Sequence, residues 1–224
     1  MGFSKEWDES YATNSHISIW PWSDLVSYVM RYAVPRDHLR VIELGCGAGA
    51  NIPLFVHLNS EYYGIDGSQT IVDALHRRFP ELRDKIVVGD FTRVLPFQGE
   101  FDLVCDRAAL THNTTSDIKD SIALVNKMLR PGGKFIGIDW FSTTHTCFTQ
   151  GEQAEDDYTR RNFQAGSFTG VGRVHFSDRR HLEELFSGFT LDVLEHKTVT
   201  RELPAADKGF EIMAFWNFSA TYKG

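Results

Sequence analysis

The feature that most constrains this chain is a short apolar run, Arg40 to Leu44 (RVIEL), closed by three alternate glycines, Gly45, Gly47 and Gly49. A run of this kind stopped by glycines reads as a buried strand that turns sharply at its end. Without a Cβ, the backbone turns tightly there and comes close to a ligand. The pattern then recurs. Glu61 to Ile65 (EYYGI) reads as a second strand, and Ser68 opens a helix (SQTIVDALHRRF) with Ile71, Val72, Leu75 and Phe79 at helical spacing before Pro80 stops it. Ile86 to Gly89 and Phe101 to Cys105 read as strands three and four. A helix from about Ser116 to Leu129 ends at Pro131-Gly132-Gly133, and Lys134 to Trp140 (KFIGIDW) reads as strand five. Strands and helices alternating at this rhythm need crossover connections, hence a doubly wound α/β fold with a parallel sheet.

Residues 142–176 break the rhythm. They are polar and carry glycines at 151, 166, 170 and 172, and a stretch this long between strand and helix reads as a partly helical lid. A helix from Ser177, a strand from Phe189 and a last strand over Phe210 to Ser219 follow. Two strands without a helix between them predict an antiparallel hairpin closing the sheet.

Composition narrows the function classes. The chain has 224 residues with 23 basic against 30 acidic side chains, a formal net charge of −7, so a large nucleic-acid footprint is disfavoured. The hydrophobic fraction of 42% suffices for a core at this length. Three scattered cysteines, Cys46, Cys105 and Cys147, form no C-x-x-C pair, which argues against a disulfide framework and for a reducing, cytoplasmic setting. No run of 18 apolar residues exists, and Lys5, Glu6, Asp8 and Glu9 stand where a signal peptide would need apolar residues, so no membrane association is expected.

Two cofactors compete for the glycine turn. Gly45, Gly47 and Ala50 satisfy G-x-G-x-x-A, a dinucleotide fingerprint, and Asp66 follows Gly45 by 21 residues, where a ribose-binding acid is expected. On that evidence alone a nicotinamide-dependent oxidoreductase, or a cofactor-binding module without activity, stands open. The wider constellation decides. Glu43-Leu44-Gly45-Cys46-Gly47-Ala48-Gly49, Asp66 after strand two, Gly89-Asp90-Phe91 after strand three and Leu129-Arg130-Pro131-Gly132-Gly133-Lys134 before strand five resemble the class I S-adenosylmethionine-dependent methyltransferases over about Arg40 to Trp140.

The resemblance implies a Rossmann-like, seven-stranded, mostly parallel sheet with the antiparallel terminal hairpin and the lid insertion. It divides a single methyltransferase domain, 1–224, into an N-terminal helical cap (1–38), a cofactor-binding core (39–141), the lid (142–176) and a C-terminal helix and strand pair (177–224). S-adenosyl-L-methionine is the implied co-substrate. Gly45, Cys46, Gly47 and Gly49 would approach its methionine part, Asp66 and Gly67 its ribose, and Asp90 and Phe91 its adenine. Glu43 would orient the glycine turn, and Asp106 completes the cofactor set.

The resemblance carries over to the acceptor only in part. The residues after strand four, Asp106 to His112, lack the Asn-Pro-Pro-aromatic motif of adenine and glutamine methylation and the Pro-Cys of cytosine methylation. Catechol-type members hold Mg²⁺ through an acid after strand four and Asp-Asn after strand five. Asp106 and Asp139 stand near those places, but Trp140 replaces the asparagine, and no metal is expected. Methyl transfer needs alignment and a way to remove the acceptor's proton. Candidate bases are His112, leading by its position after strand four, then His145 and His175. Trp7, Tyr11, His16, Trp20 and Trp22 form an aromatic group ahead of a helix starting near Ser23, with Tyr11 and Trp20 expected to close over the sulfonium. The expected function is methyl transfer to oxygen or nitrogen of a small-molecule acceptor.

Overall fold

The computed structural model describes residues 18–35, 37–202 and 209–224. Helix α1 (Ser23–Tyr32) precedes β1 (Arg40–Leu44), followed by α2 (Ile52–His57), β2 (Glu61–Asp66), α3 (Gln69–Arg78) and β3 (Ile86–Val88). The second half of the core is β4 (Phe101–Arg107), α4 (Thr115–Asn126) and β5 (Leu129–Phe141). Seven strands make one sheet in the order β3-β2-β1-β4-β5-β10-β9, completed by β9 (Phe189–Glu202) and β10 (Phe210–Tyr222). The first five strands run parallel, whereas β10 lies antiparallel to both β5 and β9. The strand order reverses between β1 and β4, so their carboxyl ends open a crevice where ligands of such sheets bind.

Both sheet faces are covered. Leu25 and Val29 of α1, Ile52 and Phe55 of α2, and Ile71 and Leu75 of α3 pack on Val41, Leu103 and Ile136. On the other face, Ile118, Ile122 and Val125 of α4 join Leu182 and Leu185 of α6 (Arg179–Leu185) against Ile42, Val104 and Phe135. Side chains satisfy the free amides at helix starts: Ser68 accepts from Ile71 N at 3.2 Å, Thr114 from Asp117 N at 3.1 Å and Asp178 from His181 N at 2.7 Å. Among the described residues no helix is long and apolar enough to cross a membrane.

One segment differs from the sequence reading in its bounds, and the insertion is partly helical as read. Strand β5 begins at Leu129 instead of Lys134, because Leu129 already pairs with Phe101 before a register shift lets exposed Arg130, Pro131 and Gly132 bulge outward. The insertion is mainly strand and loop: it holds one five-residue helix, α5 (Thr146–Gln150), and the antiparallel strands β6 (Glu152–Gln153), β7 (Thr159–Arg161) and β8 (Val174–His175). Its aromatic side chains explain why it needs little helix. Phe163, Phe168 and Phe176 bury themselves with Phe141, Ala108 and Cys147 in a core of their own.

The β5–β10 contact depends on one small residue. Phe218 stacks on Phe135 at 6.0 Å and meets Trp140 edge-on at 5.2 Å, and a Cβ on Gly137 would stand 2.4 Å from the Phe218 ring. Gly137→Ala should therefore lower stability by about 1 to 3 kcal/mol through overpacking. Urea unfolding followed by tryptophan fluorescence checks this, and an unchanged midpoint would mean that the ring stack yields freely.

Candidate active site

The turn after β1 is shaped by what a side chain would strike. Gly45 has φ 65°, and a Cβ there would stand 2.2 Å from the Ala109 Cβ, so only glycine fits between β1 and the turn that follows β4. Gly45 N and Cys46 N both donate to the Ile65 carbonyl, at 2.8 and 3.2 Å, and Gly49 N donates to Cys46 O at 2.9 Å. Gly47 N donates to Asp66 Oδ2 at 2.8 Å. With these four amides taken up within the protein, the turn offers a ligand a wall without side chains.

Asp66 ends β2 and is 4% exposed. Its second oxygen accepts from Ser68 N at 3.0 Å across Gly67, so one carboxylate joins the glycine turn to the start of α3. Asp90 organises the next strand end: Oδ1 accepts from Thr92 N at 3.0 Å and from the Thr92 hydroxyl at 2.6 Å. The Phe91 ring reaches back to the Gly45 turn, with its Cε1 3.7 Å from where a Gly45 Cβ would be.

Glu43 lies beneath this surface. Asn51 Nδ2 donates to its Oε1 at 2.7 Å and the Tyr62 hydroxyl to its Oε2 at 2.6 Å, while Asn51 Oδ1 accepts from Trp22 N at 3.2 Å. Through this chain β1 holds β2, the entry to α2 and the approach to α1. Burial pushes the Glu43 carboxyl up to about 7, although Tyr62 and Asn51 pull it down. Asp106 is also fully enclosed, and one oxygen receives Leu110 N at 3.0 Å, capping the tight turn Leu110–His112. Burial raises its carboxyl to about 7, against the Leu110 amide and the nearby Trp140 indole, which favour the charged form.

The rim also holds a group that the sequence reading passed over. Arg107 ends β4, binds Asp139 of β5 at 2.9 Å and lays its guanidinium over the Trp22 ring at 3.8 Å from the centroid. Asp139 N in turn donates to Asn217 Oδ1 at 2.8 Å. The signal available in sequence was an arginine directly after an apolar strand, at the edge where ligands sit. With Asp106 enclosed and Asp139 paired to Arg107, the two acids do not face one another as a ligand pair.

The three histidines separate. His112 is half-buried at the rim, where its Nδ1 donates to the Arg173 carbonyl at 3.1 Å, which leaves Nε2 as the accepting nitrogen of the neutral ring. Its edge meets Phe141 at 5.9 Å. His145 is buried among Phe168, Phe176 and Phe215, with Nδ1 accepting from Cys147 N at 3.1 Å. His175 ends β8 within the insertion, buried, 3.2 Å from His181 Nε2 and 3.1 Å from the Thr115 hydroxyl. Burial, then the neighbouring His181, depresses its imidazole to about 3. Of the three, only His112 is not buried. Trp20 is 74% exposed, and Trp7, Tyr11 and His16 lie outside the described residues.

A doubly wound sheet with a side-chain-free turn after β1 and an acid closing β2 defines a Rossmann-like nucleoside-cofactor fold. Residues 41–133 match the family described as a methyltransferase domain. An uncharacterized methyltransferase of Synechocystis sp. is 32% identical over 110 residues, covering 49% of this chain and 50% of that protein. The cypemycin N-terminal methyltransferase of Streptomyces sp. is 29% identical over 119 residues, covering 50% of this chain and 46% of that protein. The chain thus spans about half the length of these relatives. Among solved structures, an S-adenosylmethionine-dependent methyltransferase of Methanosarcina mazei superposes with TM-score 0.65 at 16% identity, covering 91% of this chain and 98% of that one. The glycopeptide N-methyltransferase MtfA, complexed with sinefungin, gives TM-score 0.60 at 16% identity over 94% of this chain and 89% of that one. Residues 41–133 are thus similar to a methyltransferase domain, and the fold of the chain is that of the class I S-adenosylmethionine-dependent methyltransferases.

The raised carboxyls have a consequence for stability. Glu43 and Asp106 hold protons more tightly folded than in the unfolded chain, where carboxyls titrate near about 4. Their contribution is therefore fully present below about pH 4 and is lost as pH rises towards about 7. Glu43→Gln keeps partners for Asn51 and Tyr62 but cannot ionise, so its urea midpoint should fall less between pH 5 and pH 8 than that of the wild type. An identical fall in both proteins would remove Glu43 from this account.

Proposed function

We propose that this chain transfers a methyl group from S-adenosyl-L-methionine to an oxygen or nitrogen of a small-molecule acceptor. The observation that carries the reading is the buried Asp66 carboxylate, fastened to Gly47 and Ser68 at the floor of the crevice. A carboxylate accepts several donors and gives none, which suits two adjacent ribose hydroxyls. Asp90 would accept from the adenine amino group, while the Phe91 ring and the bare Gly45 turn supply the close apolar contact that a nucleoside needs. Glu43 acts from beneath by fixing Asn51 and Tyr62.

When bound, the co-substrate supplies an electrophilic methyl on a sulfonium. The protein's part is to align the acceptor with it and to take a proton. His112 is assigned that proton, accepted at Nε2 while the Arg173 carbonyl steadies Nδ1. The insertion, 142–176, walls the acceptor side. Names of relatives support both acceptor atoms: one is a cypemycin N-terminal methyltransferase and another a ubiquinone biosynthesis O-methyltransferase of Mesorhizobium japonicum. Three free cysteines, all buried, favour a reducing, cytoplasmic setting.

Calorimetry tests the co-substrate. S-adenosylhomocysteine should bind and NADH should not; the reverse would overturn the proposal in favour of a nicotinamide enzyme. Asp66→Ala should weaken S-adenosylhomocysteine by about 1 to 3 kcal/mol. An analogue lacking the ribose hydroxyls should lose affinity for the wild type and little for the variant, which separates ribose recognition from the fastening of the turn.

The proton transfer is tested separately. With an acceptor found by screening for S-adenosylhomocysteine release, His112→Ala should lower kcat by about 10²- to 10⁴-fold with cofactor affinity retained. A kcat within a few-fold of wild type would mean that alignment alone suffices.

A further inference from the structure

Outside the crevice, the insertion brings together three side chains of different ligand type. His145 caps the start of α5, Cys147 lies in its first turn and Glu211 reaches across from β10. One ligand atom from each lies within 4.8 Å of the others, and all three residues are buried. Cys147 Sγ stands 3.5 Å from Glu211 Oε1. A tetrahedral zinc, with bonds of about 2.3 Å to sulfur and about 2.0 Å to oxygen, holds those two atoms about 3.5 Å apart, so that edge is already set.

We propose that His145, Cys147 and Glu211 bind Zn²⁺ and clamp the insertion onto β10. Nothing in this inference rests on the transferase reading.

The surroundings favour a metal over three idle polar groups. His145 Nε2 is buried with no hydrogen-bond partner among the described residues. Because Nδ1 accepts from Cys147 N, the neutral ring carries its proton on Nε2, so ligation there moves that proton to Nδ1 and releases the Cys147 amide. The ring packs against Phe168 at 5.0 Å and against Phe176 and Phe215 at 6.1 Å. A Cβ on Gly166 would stand 2.8 Å from Cys147 Sγ and 3.3 Å from Glu211 Oε1, so the backbone closes over the cluster where a side chain would be barred.

The protonation states suit the ion as well. Burial depresses the His145 imidazole, keeping it in the neutral form that ligates. Burial pushes the Glu211 carboxyl up, but the Ser167 donors and Cys147 outweigh it and hold it ionised below the usual range. Burial raises the Cys147 thiol, so Zn²⁺ must displace its proton to solvent. One thiolate and one carboxylate then balance the two positive charges. Glu211 is not otherwise idle: Oε1 also receives Ser167 N at 3.1 Å, Ser167 Oγ contacts both oxygens, at 2.9 and 3.0 Å, and Arg201 lies 3.4 Å from Oε2. The arginine can stay on Oε2 while Oε1 turns to the metal. Since the ligand atoms lie no farther than 4.8 Å apart, at most about 1.5 Å of closure completes a tetrahedral set, with the fourth position left to a water.

Cobalt substitution tests the proposal on the intact chain. Metal-free protein titrated with Co²⁺ should develop the near-ultraviolet absorption of a thiolate–cobalt bond at one equivalent, and Zn²⁺ should displace it. Cys147→Ser should abolish that absorption, and Glu211→Gln should weaken Zn²⁺ binding at least tenfold in a competition with a chelating dye. Circular dichroism checks that both variants are folded. Wild-type protein without a thiolate–cobalt band would overturn the site, and so would a band that survives in Cys147→Ser, since it would then belong to Cys46 or Cys105. The first measurement needs no variant, so a misfolded substitution does not rescue the proposal.

Discussion

Asp66 accepts from Gly47 in one turn and from Ser68 in the next, and so fixes the distance between the carboxyl ends of β1 and β2. Parallel strands hydrogen-bond along their lengths, but the turns leaving them have no ladder to hold them in place. Here the Ile65 carbonyl takes Gly45 N and Cys46 N, and the neighbouring carboxylate takes the next free amide. The crevice floor is therefore built from backbone. That is why it tolerates no Cβ at Gly45, where Ala109 from the β4 side presses in. Both Asp66 oxygens accept an amide hydrogen, so neither is left unpaired by its burial.

Beneath that floor, Glu43 and Asp106 behave differently. Each is enclosed more deeply than its donors compensate, so both carboxyls sit near neutrality in their proton affinity. Glu43 links Tyr62 with Asn51, and Asn51 catches Trp22 N ahead of α1. Trp22 then carries the Arg107 guanidinium, which Asp139 holds from the next strand. A buried acid on β1 is in this way connected, contact by contact, to a cation on the rim above β4. Removing the acid would loosen the approach to α1 and with it the tryptophan against which Arg107 is held.

The doubly wound core could be read from the chain because its cause is local. Apolar runs such as RVIEL and FDLVC can only be interior strands, and the intervening helices announce themselves by Ile71, Leu75, Ile118 and Val125 at helical spacing. The glycine turn and Asp66 were legible for the same reason, since their spacing is fixed by one strand–turn–helix unit. What stayed hidden depends on distant pairing. Nothing near His145 or His175 in sequence says that aromatic rings 20 to 70 residues away, Phe168 and Phe215 among them, will enclose the one, or that the Thr115 hydroxyl, 60 residues back, will meet the other. The Arg107–Asp139 pair bridges two strands, and its cation–ring contact with Trp22 bridges the start of α1 to the end of β4. Strand β5 extends past Pro131-Gly132-Gly133 because Phe101 offers Leu129 a partner, a pairing that local breaker residues cannot reveal.

The insertion behaves as a wall on physical grounds. Its core of Phe163, Phe168 and Phe176 shares Phe141 and Ala108 with the strand ends of the sheet, so it cannot swing away without exposing that surface. It is also pinned at the start of α4, where Asp156 accepts from Thr115 N at 2.8 Å and His175 meets the Thr115 hydroxyl. Arg173, within the same segment, lends its carbonyl to His112. The imidazole at the crevice is thus oriented by the insertion instead of by the strand it follows. Any change in the insertion that moves Arg173 reorients His112 while leaving Asp66 and the glycine turn untouched. On the function proposed above, acceptor handling and cofactor handling rest on separate parts of the chain, and a lineage altering residues 142–176 could change the acceptor without rebuilding the floor.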